Sequence, residues 1–123
     1  MMVSTGNRVV VGTGKYRYEP VPGWPTLPAG WSLVEVVGVA TDAHDRVFVF
    51  SRSEHPVTVF EPDGTFIRSW GEGQFIRPHG ITIAPDGAVY CTDDRDHSVR
   101  KFTPEGELLF TLGTRGRSEE HTS

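Results

Sequence analysis

The sequence repeats itself with a period of 42 residues, and this repeat constrains the fold more than any other feature. Residues 38–71 align without a gap with residues 80–113, and eight of the 34 aligned pairs are identical. The identical pairs are Gly38/Gly80, Val47/Val89, His55/His97, Val57/Val99, Phe60/Phe102, Pro62/Pro104, Gly64/Gly106 and Gly71/Gly113. Each copy holds four short apolar runs separated by turn residues, as in EPDG and TPEG, and this pattern predicts four antiparallel strands.

Four-stranded sheets that recur every ~40–45 residues are typical of β-propellers, in which the sheets pack as blades around a central channel. A β-sandwich also has short strands, but nothing in a sandwich requires the sequence to repeat at a fixed period. The sequence therefore predicts an all-β chain with about two four-stranded antiparallel blades, residues 37–78 and residues 79–116. A closed propeller has at least four blades, so we expect this chain to be an N-terminal fragment of a propeller.

Both ends of the chain depart from the repeat. Residues 1–36 include YEPVPGWPTLPAGWSLVEV, which is rich in proline and tryptophan and predicts an extended strap with aromatic anchors. Residues 117–123, RSEEHTS, abandon the repeat and look like the translation of a widely used sequencing adapter. We therefore expect residues 117–123 to be a non-native tail.

Composition narrows the possible partners. The net charge is −4 and the 12 basic residues are scattered, so nucleic acid is not expected as a partner. No apolar run is long enough to span a bilayer, and the N-terminus has no signal-peptide pattern, so no membrane association is expected and the compartment stays open. Cys91 is the only cysteine, which excludes an internal disulfide, and AVYCTDD predicts a buried strand position for it.

The repeat separates residues that build a blade from residues that do something else. His79, in QFIRPHGITIAPDG, aligns with Val37, and Arg52 aligns with Asp94, so blade construction requires neither side chain. His79 precedes GITI, the first strand of its blade, which in propellers lines the ligand-binding channel. Imidazole is the commonest metal ligand among side chains, so His79 is a candidate ligand. Arg52 either turns toward the channel mouth or pairs with Glu54 on the surface.

Other polar groups have structural or metal-binding interpretations. Val39 and Ile81 are equivalent residues on first strands, and carbonyl groups that converge there would suit Ca²⁺. His55 and His97 recur at the same repeat position, so we interpret both as blade architecture. The segment DDRD, residues 93–96, lacks the glycine and the distal glutamate of a calcium loop and is predicted to be a solvated turn.

Both copies resemble NHL repeats, which combine an aspartate, polar residues, a histidine, alternating apolar residues and a Pro-Asp-Gly type of turn. DDRDHSVRKFTPEGELLFTLG carries this pattern. NHL-type propellers usually have six blades, so the resemblance implies a six-bladed parent. Together with GVATDAHDRVFVFSRSEHPV and RPHGITI, residues 17–115 resemble one NHL-type family, the peptidyl-α-hydroxyglycine α-amidating lyases. That resemblance implies zinc-dependent cleavage of peptidyl-α-hydroxyglycine, in the propeller channel, to a peptide amide and glyoxylate.

The resemblance also implies roles for individual residues. His79, in PHG, corresponds to the first zinc ligand, and Arg52 corresponds to an active-site arginine. Val39 and Ile81 correspond to residues whose backbone carbonyls bind calcium. The glycine that follows the arginine in the family is Ser53 here. The two other zinc histidines, a tyrosine base and a calcium-binding carboxylate belong to later blades, so the fragment alone is expected to be inactive.

Two alternatives of other classes stay open. One is a non-catalytic NHL propeller that binds protein or small ligands. The other is a calcium-dependent propeller hydrolase of the lactonase type, which would use carboxylates in its channel. Histidines in two later blades together with a tyrosine would favour the lyase, and their absence would favour the binding scaffold.

Overall fold

The computed structural model describes residues 2–5 and 8–113, which form eleven β-strands in three antiparallel sheets. The predicted tail at 117–123 and residues 114–116 of the second predicted blade lie outside these residues. The described part of the chain contains no helix that is long and apolar enough to cross a membrane.

An N-terminal sheet precedes the repeat and was not predicted. Its strands, in the order β1-β2-β3, are β1 (Met2–Thr5), β2 (Arg8–Thr13) and β3 (Tyr16–Tyr18). The run RVVVG lacks the polar alternation that marks a half-buried strand, and a short apolar run by itself does not identify a strand. Residues 19–35 then form a connecting segment of turns and irregular backbone.

The two copies of the repeat form one four-stranded antiparallel sheet each, so the prediction of four strands per copy is confirmed. Sheet I comprises β4 (Val36–Thr41), β5 (Val47–Ser51), β6 (Val57–Phe60) and β7 (Phe66–Trp70). Sheet II comprises β8 (Pro78–Ile83), β9 (Val89–Asp93), β10 (Ser98–Phe102) and β11 (Leu108–Leu112). Strands are adjacent in chain order in both sheets, as in propeller blades.

The core lies between the two sheets. First strand β4 runs beside first strand β8, and a Cβ on Gly38 would lie 3.2 Å from Cγ2 of Ile81. Trp70 at the end of β7 packs on Phe102 of β10, with ring centroids 4.8 Å apart. Cys91 is fully buried, as the sequence predicts. The main core cluster comprises Phe48, Phe50, Val57, Val59, Trp70, Val89, Cys91 and Phe102.

Trp70 of sheet I packs on the turn between β10 and β11 of sheet II. Trp70 donates from Nε1 to the carbonyl oxygen of Pro104 at 3.1 Å, and its ring lies where a Cβ on Gly106 would be. Gly106 has a φ of 98°, which favours glycine because L side chains are strained there.

The connecting segment makes the same contact with sheet I. Trp24 donates from Nε1 to the carbonyl oxygen of Pro62 at 3.0 Å, and its Cδ1 lies 2.7 Å from a Cβ placed on Gly64. Pro62 and Gly64 are the repeat equivalents of Pro104 and Gly106. The connecting segment therefore covers the turn of sheet I in the way that sheet I covers the turn of sheet II.

Candidate functional site

His79 lies in a β-bulge at the start of sheet II. Strand β8 pairs Pro78 and Gly80 with β9, and the register shifts between them, so His79 is the extra residue. A bulge bends its strand and re-aims the side chain of the extra residue. The side chain of His79 is 65% exposed, so the imidazole is accessible.

The same bulge occurs in sheet I, where Val37 is the extra residue between Val36 and Gly38. Val37 is half-buried and packs against the core, whereas His79 is exposed. The bulge therefore belongs to the blade and recurs with the repeat, but the imidazole does not. This agrees with the sequence argument that blade construction does not require a histidine at position 79.

Arg52 joins sheet I to the bulge of sheet II. Its Nε donates a hydrogen bond to the carbonyl oxygen of Pro78 at 3.0 Å, and its Nη1 lies 3.6 Å from Oε2 of Glu35. The alternative partner considered from the sequence, Glu54, makes no ion pair with Arg52; the partner is Glu35 of the connecting segment. The fold therefore ties Arg52 to the residue immediately before His79, across 26 positions of sequence.

The ion pair beside the bulge recurs in both sheets with its charges exchanged. Arg52 donates its backbone N–H to the carbonyl of Glu35 at 3.1 Å, and Asp94 donates in the same way to Arg77 at 3.2 Å. The side chains pair in both places, each at 3.6 Å. Because of the exchange, Asp94 brings a carboxylate to 3.6 Å from Nδ1 of His79, while sheet I presents a guanidinium at the equivalent position.

The described residues do not form a zinc site by themselves. Among them, no three His, Cys, Asp or Glu side chains lie close enough together to hold a metal ion. A catalytic zinc usually has three protein ligands, whereas this part of the chain brings together one imidazole, His79, and one nearby carboxylate, Asp94. A zinc ion at His79 would need further ligands from outside the described residues.

The two proposed calcium-binding carbonyls lie at matching positions on neighbouring strands. Val39 on β4 pairs with Val49, and Ile81 on β8 pairs with Cys91, so both occupy the same register in their sheets. Val39 is 58% exposed, whereas Ile81 packs against the core. Calcium binding by these carbonyls stays a prediction.

The prediction that residues 93–96 form a solvated turn is wrong for two of the four, because Asp93 and Asp96 are buried. Asp93 accepts hydrogen bonds from the backbone N–H groups of Ile76 at 2.7 Å and Arg77 at 2.9 Å, and also from those of Arg95 and Asp96. Burial by itself would raise the pKa of Asp93, but these N–H groups hold it below its ordinary value.

Asp93 thus fixes the backbone that leads into the bulge, and sequence reasoning missed this role. Its repeat equivalent is Ser51, so the comparison that singled out His79 and Arg52 would also have detected it. The carboxylate of Asp96, by contrast, binds side chains: it pairs with Arg100 at 3.0 Å and accepts a hydrogen bond from Ser98. Both buried carboxylates are therefore engaged within the blade rather than presented to a cation.

A cleft lies between the connecting segment and the turn from β5 to β6. Its volume is about 630 Å³, and its walls are residues 29–32, 34 and 52–55. Trp31 in one wall stacks on His55, with ring centroids 3.4 Å apart and planes 8° apart. Nδ1 of His55 also lies 3.1 Å from Oε2 of Glu72, next to β7. By contacting both Trp31 and Glu72, His55 anchors the connecting segment to sheet I.

The sequence did not predict this cleft, because its two walls come from segments that only tertiary packing brings together. The tryptophans of the connecting segment were expected to act as anchors, but their partners were not identified. His55 and His97 also differ despite their repeat equivalence: His55 stacks on Trp31, and His97 adopts a positive φ of 57°.

No protein-family model matches the chain. The chain is 29% identical over 114 residues to NHL repeat-containing protein 3 of Homo sapiens, covering 85% of this chain and 33% of that protein. It is 30% identical over 123 residues to peptidyl-alpha-hydroxyglycine alpha-amidating lyase 2 of Drosophila melanogaster, covering 79% of this chain and 30% of that protein. It is 27% identical over 128 residues to peptidylglycine alpha-amidating monooxygenase of Rattus norvegicus, covering 79% of this chain and 13% of that protein.

The chain thus spans about a third or less of the length of these relatives. Their similarity covers 79–85% of this chain and agrees with the two four-stranded meanders of the structure. By sequence and by fold, this chain resembles the NHL-type β-propeller proteins.

Proposed function

We propose that this chain is part of a lyase-like NHL propeller that cleaves peptidyl-α-hydroxyglycine to a peptide amide and glyoxylate. The observation that carries the proposal is the hydrogen bond from Arg52 to the carbonyl of Pro78, which holds a guanidinium at the residue immediately before His79, whose imidazole is exposed. Blade construction requires neither side chain. The similarity to proteins named as α-amidating lyases supports this reaction over other uses of the pair.

Arg52 is proposed to hold the carboxylate of the α-hydroxyglycine. Its Nε is already bonded to Pro78, and within the described residues its terminal nitrogens have only Glu35, at 3.6 Å, as an ion-pair partner. This distance is too long for a hydrogen bond, so the terminal N–H groups are available to a carboxylate. The half-buried position of Arg52 strengthens such a contact because water screens it less.

His79 is proposed as a zinc ligand, and Val39 and Ile81 as donors of backbone carbonyls to a structural calcium ion. A zinc ion would supply Lewis-acid polarisation of the substrate hydroxyl. In the reaction the hydroxyl loses its proton, the C–N bond breaks, and the amide nitrogen takes up a proton. The base and the remaining ligands would come from outside the described residues.

The test is glyoxylate release from an N-acylated peptide that ends in α-hydroxyglycine, with the product of the complete gene as the enzyme. We expect release that a chelator abolishes and added zinc restores. We also expect His79→Gln to lose zinc, measured by metal analysis, while the control His44→Gln, at an exposed turn position, retains it. Absence of release, or release that is insensitive to the chelator, would refute the proposal.

A second candidate function is that of a non-catalytic NHL propeller that binds a protein or a small ligand. The alignment with NHL repeat-containing protein 3, over 85% of this chain, favours it. The same assay separates the two candidates, because a binding scaffold releases no glyoxylate. No observation favours the lactonase-type hydrolase, since the buried carboxylates of Asp93 and Asp96 are engaged within the blade.

A further inference from the structure

The cleft presents a negative charge and an aromatic ring close to Arg52. Glu54 lies in the turn that forms one wall, and its side chain is exposed. Among the described residues Glu54 has no ion-pair partner, whereas Arg52 is paired with Glu35. The cleft is therefore polarised, with a guanidinium near the bulge and an unpaired carboxylate two residues further along the turn.

Trp31 completes this arrangement. It lines the same cleft, and its orientation is fixed because it stacks on His55 and lies nearly perpendicular to the ring of Phe66, at a centroid distance of 5.4 Å. His55 covers one face of the indole, so Trp31 offers the cleft an apolar surface on which the aliphatic stem of a long side chain can lie, while the carboxylate of Glu54 in the same cleft attracts a cationic end. Neither feature would favour an acidic side chain.

We infer that the cleft is a subsite for a lysine or arginine side chain of the peptide residue that precedes the α-hydroxyglycine. The assignment to that residue rests on the proposed function, because it takes the terminal carboxylate to be bound by Arg52. Arg52 itself lines the cleft, and consecutive Cα atoms lie 3.8 Å apart, so a peptide whose carboxylate is at Arg52 has its preceding residue at the cleft. The volume of about 630 Å³ is in the range of small-ligand sites and accommodates a long side chain.

The test compares the binding of two stable peptides, N-acetyl-lysyl-glycine and N-acetyl-norleucyl-glycine, to the product of the complete gene. Norleucine has a similar aliphatic stem without the charge, so the difference isolates the ammonium group. We expect the lysyl peptide to bind about two- to fivefold more tightly at low ionic strength, and the difference to shrink as salt is added.

Two variants assign the effect to the cleft. Glu54→Gln removes the charge at nearly constant size and is expected to abolish the preference for lysine. Glu61→Gln, at another exposed carboxylate outside the cleft, is expected to preserve it. Both positions are exposed, so neither substitution is expected to disturb folding. Equal affinities for the two peptides, or a lysine preference that survives Glu54→Gln, would overturn the inference.

The outcome for the subsite is separable from the outcome for the reaction. A lysine preference that depends on Glu54, combined with no glyoxylate release, would support the cationic subsite and refute the lyase proposal. Glyoxylate release with equal affinities for the two peptides would leave the lyase proposal standing and overturn the subsite.

Discussion

Nε of Arg52 donates a hydrogen bond to the carbonyl oxygen of Pro78 at 3.0 Å, and this bond links sheet I to the first strand of sheet II at the candidate site. The arginine follows strand β5, and Pro78 begins strand β8 next to His79. The position of the guanidinium relative to the imidazole therefore depends on the packing of one sheet against the other, rather than on local sequence.

Replacing Arg52 by lysine tests whether the geometry of the guanidinium is needed in addition to its charge. Lysine keeps the positive charge but has neither the Nε bond to Pro78 nor a planar pair of donors for a carboxylate. We expect kcat/KM for glyoxylate release to fall about ten- to a hundredfold. Arg95→Lys, at an exposed position, is the matched control, and equal activity of Arg52→Lys and the wild type would contradict this role.

Substitution of Gly106 tests the tryptophan contact between the sheets. In Gly106→Ala, the new methyl group would overlap the ring of Trp70, and the residue would also keep a strained φ of 98°. Gly73→Ala is the control for strain alone, because Gly73 has a φ of 78° and no heavy atom within 4 Å of its Cβ position. We expect Gly73→Ala to cost about 1–2 kcal/mol of unfolding free energy.

Gly106→Ala is expected to cost about 1–3 kcal/mol more than Gly73→Ala, because its methyl group must displace a packed indole. Urea denaturation of both variants, monitored by tryptophan fluorescence, measures the difference. Equal destabilisation would mean that the indole of Trp70 does not lie over this turn.

Asp93 is predicted to make stability depend on acid pH. Although burial opposes ionisation, four backbone N–H groups lower its pKa in the folded state. Because the pKa of Asp93 is lower in the folded protein than in the unfolded protein, its carboxylate stabilises the folded state at pH values above the unfolded pKa of about 3.9. This contribution is lost as the pH falls through the folded pKa. We therefore expect wild type to be more stable than Asp93→Asn at neutral pH, and the difference to shrink below about pH 4.

Chemical denaturation at several pH values measures this dependence. Glu105→Gln, which removes an exposed carboxylate, is the control and is expected to follow the wild type. A difference between wild type and Asp93→Asn that is constant with pH would show that the charge of Asp93 is not what stabilises the segment before His79.

Cys91 is predicted to be unreactive in the folded protein. Burial raises the pKa of its thiol to about 12, and its exposed fraction is 0%. Because the thiolate is the reactive form, an aromatic disulfide reagent at mildly alkaline pH should modify Cys91 only as fast as the protein unfolds. Denaturant should accelerate the reaction in proportion to the unfolded population, and rapid modification without denaturant would contradict the buried position.

The sequence correctly predicted the structural features that recur in both copies of the repeat. Strand positions, antiparallel turns and the number of strands per copy depend on alternation and turn chemistry, which are local and are repeated 42 residues later. The same comparison identified His79 and Arg52 as departures from the repeat. It predicted DDRD to be solvated, however, because composition does not show which carboxylates a fold buries and supplies with N–H donors.

By itself, the sequence determined that the chain forms four-stranded sheets and that two of its polar residues are not required by a blade. Only the tertiary structure decided the partners: Glu35 rather than Glu54 for Arg52, and Trp31 for His55. The physical reason is that strand formation follows from side-chain periodicity along a few residues, whereas ion pairs, ring stacking and clefts require segments distant in sequence to meet. The connecting segment and sheet II both pack against sheet I, and this packing brings those distant segments together.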